Sequence, residues 1–114
     1  MELVNDTLNT ELIVTTDINL LGIATRGARV TKTGHLTVNG ILDNHLVLES
    51  GTRSEINGIF NGNLELQANS KLEIKGIANI HGKAIDPESV VIVHAGAVIS
   101  GRTVAQTELL NALE

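Results

Sequence analysis

Four histidines and a set of regularly spaced carboxylates are the side chains of this sequence that are chemically suited to moving protons or holding a metal ion. His45 and His81 share one phase of an 18-residue spacing, and Glu55 and Glu73 share another. A metal site needs three or four donors converging at about 2 Å from the ion. If each 18 residues form one layer of a stack, His45 and His81 lie two layers apart with Asn63 between them, so their backbones are separated by about 9–10 Å. That is too far for one ion without a bridging group. His35 and His94 fall in other phases, and no carboxylate pair accompanies them. Glu55 and Glu73 look like an acid–base pair, but Arg53 and Lys71 precede each by two residues and would neutralise them in a solvated charge ladder. Glu65 and Lys83 read the same way. No phosphate-cradling loop, nucleophile elbow or metal-ligand spacing occurs. The expected use of these residues is outward polar ladders, with no catalytic residue, cofactor, metal or small-molecule substrate.

The elements that would carry such ladders are set by one repeat. Gly-Ile recurs at Gly22-Ile23, Gly40-Ile41, Gly58-Ile59 and Gly76-Ile77, dividing the chain into four units of 18 residues. Fixed self-similarity at this length is the mark of a solenoid, so Asn57-Gly58 is expected at a corner and not at a hairpin tip. Alternating apolar pairs fall in fixed columns of the unit: Ala28/Val30, Leu46/Leu48 and Leu64/Leu66 in the seventh and ninth, Leu36/Val38, Leu72/Ile74 and Val90/Ile92 in the fifteenth and seventeenth. Alternation of this kind marks a strand with one buried face. The predicted core is the isoleucine column Ile23, Ile41, Ile59 and Ile77 together with Leu46, Leu48, Leu64, Leu66, Leu72 and Ile74. Gly22, Gly40, Gly58 and Gly76 are the predicted corners, where a residue without Cβ can take positive φ. An aliphatic residue at every sixth position is missing, which excludes the left-handed hexapeptide helix. The predicted fold is therefore all-β, a right-handed, three-faced parallel β-helix in one domain over residues 1–114, with coils over about 12–101.

The C-terminus departs from this pattern. Thr103 and Gln106 have capping-box spacing, and Ala105, Leu109, Ala112 and Leu113 form one helical stripe, so a short amphipathic helix is expected over about 104–113 as a cap. Leu12 and Ile18 at one end, and Leu109 and Leu113 at the other, are the expected end contacts.

Composition narrows the class of function. The chain of 114 residues has no cysteine, which excludes disulfides and thiolate metal sites, and its only aromatic residue is Phe60. A net charge of −5 with scattered charges speaks against a nucleic-acid surface. No apolar run is long enough to cross a bilayer and the first residues lack signal-peptide character, so a cytoplasmic location is expected.

The alternation in KLEIKGIANIHGKAI (71–85) and the closing HAGAVISG (94–101) resemble bactofilins, bacterial polymer-forming cytoskeletal proteins, over about residues 12–101. That resemblance implies a compact right-handed β-helix that binds no nucleotide and associates end to end. This chain lacks the Pro-rich or basic tails common in the family, and its one proline, Pro87, lies inside a coil. The expected partners are the protein itself, end to end or as a two-fold dimer, or another protein. An acidic, regular surface equally suits an immunity protein that covers a toxin.

Overall fold

A computed structural model describes residues 1–109. They form an all-β solenoid of about five turns built from stacked parallel coils. One face is a seven-stranded sheet whose strands lie in the spatial order Glu2–Val4, Asp17–Leu20, His35–Val38, Arg53–Ile56, Lys71–Ile74, Val90–Val93 and Glu108–Leu109. The other two faces share a nine-stranded sheet, because the long strands Ile41–Leu48, Ile59–Leu66 and Ile77–Ile85 run around the corner between them. Register across the coils is Ile23↔Ile41↔Ile59↔Ile77 on one face and Ile18↔Leu36↔Ser54↔Leu72 on another.

The core lies along the axis and is filled in layers. Leu46, Leu48, Leu64, Leu66, Leu72 and Ile74 are buried in it. The isoleucine column is not: Ile23 and Ile77 remain 36% and 38% exposed, whereas the next column, Ala24, Leu42, Phe60 and Ala78, is fully buried. Strand alternation runs on through the glycine corner. The third position of the unit therefore faces inward with the seventh, ninth, fifteenth and seventeenth, and the second faces solvent. Phe60 is the largest core side chain, and Ser54, six residues before it, is the smallest residue of the inward fifteenth column. Ser54 is buried and its hydroxyl donates to the Leu36 carbonyl at 2.8 Å, so its polarity is satisfied.

Close approach, and not positive φ, explains the glycine corners. None of Gly22, Gly40, Gly58 and Gly76 is in the left-handed region. A Cβ on Gly40 would collide with the Gly22 carbonyl oxygen, and a Cβ on Gly58 with that of Gly40. Two consecutive amides, those of Asn57 and Gly58, donate to the Val38 carbonyl at 2.8 Å each, which draws successive corners together. At the opposite corner Thr52 and Ser70 are buried, and each hydroxyl donates back to the carbonyl of its own turn at 2.7 Å.

Two regions depart from the sequence pattern. The register slips after Gly62, which pairs with Ile80, while Asn63 pairs with Gly82. His81 is thus an extra residue in a bulge and does not stack with His45. Everything downstream moves by one place, so Val91 and Val93 are buried while Val90 is exposed. The predicted C-terminal helix is also absent from residues 104–109. Arg102–Thr103 turns back and pairs antiparallel with Val98–Ile99, and Glu108–Leu109 pairs antiparallel with Ile92–Val93. Ser100 and Gly101, with φ of 48° and 87°, make the two-residue reversal that such a hairpin needs. Residues 110–114, including Ala112 and Leu113, lie outside the described residues.

Candidate interaction surfaces

The two ends of the stack are unlike. At the C-terminal end Val104 is buried, its amide donates to Ala97 at 2.8 Å, and its carbonyl accepts from the Gly96 amide at 2.7 Å. An ion pair of 2.8 Å between Arg102 and Glu108 joins the two antiparallel strands across this end. Leu109 is 66% exposed and does not cover the last layer, contrary to its expected role; Val104 is the buried residue of the cap.

At the other end the first coil is Glu2–Val4, Thr7–Leu8 and Leu12–Val14, each paired on one side only among the described residues. Ile18 is buried one layer deeper and is no part of the end surface, because Glu2–Val4 lies over its strand. Leu12 is half-buried in the outermost layer, and Met1, Leu3 and Ile13 are exposed.

Along the sides the polar residues form ladders. His45 lies across Gly27 and reaches Glu11 two coils away, with Nε2 and the carboxylate 2.5 Å apart. Gly27 permits this: its φ is +81° and a Cβ there would collide with the His45 ring. Arg29 extends the network, with its guanidinium 3.3 Å from Glu49 and 3.9 Å from Glu11. Sequence columns do not reveal this clasp because the first coil is two residues short, Leu12 pairing with Ala28, which takes Glu11 out of phase. His35 lies 3.6 Å from Asp17, and His94 lies 3.2 Å from Glu73.

Glu55 and Glu73 do stack, and Arg53 and Lys71 stack beside them. The Glu55 carboxyl is held below its ordinary value, first by the Asn57 amide at 2.9 Å and then by Lys75 at 3.3 Å, against an opposing effect of partial burial. Among the described residues, no three His, Asp or Glu side chains gather closely enough to hold an ion. No helix of the described residues is long and apolar enough to cross a membrane.

No protein-family model, curated protein or solved structure matches this chain. The functional reading therefore rests on the solenoid and its surfaces.

Proposed function

We propose that this protein is a non-catalytic interaction module that pairs with a second copy of itself through the N-terminal end of the solenoid, as a small scaffold of the bactofilin-like kind. The supporting observation is the contrast between the ends: at one end antiparallel strands cover Ile92–Val93 and Val98–Ile99, leaving the edge at 82–85 as the part without a partner strand among the described residues, while all three strands at the other end, with exposed Leu3 and Ile13, have a free edge. Unpaired edges over an apolar layer are a template for strand addition. Pairing of two N-terminal ends is isologous, so this contact by itself gives a closed two-fold pair.

Edge chemistry offers a specific test. The Val4 and Val14 carbonyls accept from the following coil, so alternation turns the Leu3 and Ile13 amides outward. Leu3→Pro and Ile13→Pro remove outward donors and leave those inward bonds in place. In dilute solution light scattering should find a dimer for the intact chain and a folded monomer for the double variant; a dimer unaffected by both prolines rejects this mode of pairing.

A second reading has one observation in its favour. The net charge of −5 suits a basic partner, as in an immunity protein that neutralises a toxin. A one-to-one complex with such a partner that weakens steeply as salt is raised would support it.

A further inference from the structure

The Gly-Ile repeat keeps isoleucine at four successive coils on a face where burial does not require it. Ile23, Ile41, Ile59 and Ile77 stack in register on the outside of the nine-stranded sheet, and Val98 continues the column. Five β-branched side chains at a spacing of about 4.8 Å make a stripe roughly 19 Å long.

The borders of the stripe are asparagine ladders. On one side Asn79 donates to Asn61 at 2.7 Å, and Asn61 to Asp43 at 3.0 Å. On the other, Asn57 donates to Asn39 at 3.1 Å, and Asn39 to Asn19 at 2.7 Å. These amides already satisfy one another, so covering them costs less desolvation than covering free polar groups. Charged residues at the flanking positions are few, Asp43 on one side and Lys75 on the other.

We infer that this stripe is a second, lateral contact surface whose occupant is the same stripe of another copy of this chain. Two properties select that occupant. Branched side chains repeating at the strand spacing are best filled by a surface of the same period, as in the dry interfaces between paired sheets. Molecules carrying −5 each repel one another, and a nearly uncharged face is where two copies approach at least cost. The column is centred on Ile59, so a two-fold through that residue sets Ile59 against Ile59. A stripe one residue wide falls below the standard interface of about 800 Å² per partner, so the contact forms reversibly with concentration.

The sequence has no cysteine, so single-cysteine variants report proximity cleanly. Ile59→Cys, treated with a short bifunctional maleimide, should give a covalent dimer, whereas Glu65→Cys and Lys71→Cys on the neighbouring faces should not. Placing this test in the Leu3→Pro/Ile13→Pro background separates it from end pairing, since the lateral contact uses no edge amide. In that background Ile59→Lys should raise the dimer dissociation constant roughly tenfold or more. Its melting temperature should fall by only about 4 °C, as for loss of a half-buried side chain on the outer face, far less than for a core substitution. Salt is the further readout: screening between about 0.05 and 0.5 M should strengthen this contact. Equal cross-linking at all three positions, no cross-linking at Ile59→Cys, or dissociation on adding salt would each overturn the inference.

Discussion

Phe60→Ala and Ile59→Ala differ by one residue in position and should differ widely in effect. Phe60 is fully buried, and truncating a buried phenylalanine costs about 3–5 kcal/mol. Ile59 is only half-buried on the outer face, so its truncation should cost about 1 kcal/mol, below the range for a core isoleucine. Taking an unfolding entropy of about 2.1 cal/mol/K per residue, the 114-residue chain loses about 4 °C of melting temperature per kcal/mol. Phe60→Ala should therefore melt about 12–20 °C below wild type, and Ile59→Ala about 4 °C below. Differential scanning calorimetry in the double-proline background removes the contribution of end pairing, and working at low protein concentration removes that of the lateral contact. If Ile59→Ala is as damaging as Phe60→Ala, the inward phase of the coil is wrong.

The same geometry sets the outcome of other substitutions. Gly58→Ala should destabilise by about 2 kcal/mol or more in urea unfolding, since its methyl meets the Gly40 carbonyl and the corner has to open. Gly27→Ala should be destabilising as well, through both positive φ and collision with His45. Combining it with His45→Ala should recover part of the loss, which a double-mutant cycle would show. Glu55 has a folded-state value below its unfolded one, so the stability it contributes is present above the unfolded value and is lost as pH falls through the folded one. Denaturation of wild type and Glu55→Gln should show wild type the more stable at pH 7, with the gap closing in acid below about pH 4.

The period of the solenoid is legible in the sequence, because glycine is required wherever corner carbonyls approach and no other residue type fits there. The phase is harder to read. Isoleucine repeats more faithfully than Ala24, Leu42, Phe60 and Ala78, yet fidelity of type is no mark of burial. A core layer needs only constant summed volume and so tolerates alanine beside phenylalanine, whereas an outer ladder aligns like with like. The bulge at His81 has no local signal; only the exchanged roles of Val90 and Val91 betray it. At the C-terminus, Thr103 and Gln106 have helical spacing, but Ser100-Gly101 reverses the chain first, and the neighbouring strand edges capture Arg102–Thr103 and Glu108–Leu109. The Glu11–His45 clasp is hidden because its partners lie two coils apart and the first coil is short.

Hydrogen exchange of the edge amides tests the proposed pairing most directly. Mass spectrometry resolved to single residues should show the Leu3 and Ile13 amides exchanging freely in dilute protein and gaining protection as concentration rises, while amides of Ile41–Leu48 stay constant. Protection at Leu3 and Ile13 that does not change across the concentration range in which light scattering finds dimer would contradict pairing at this end.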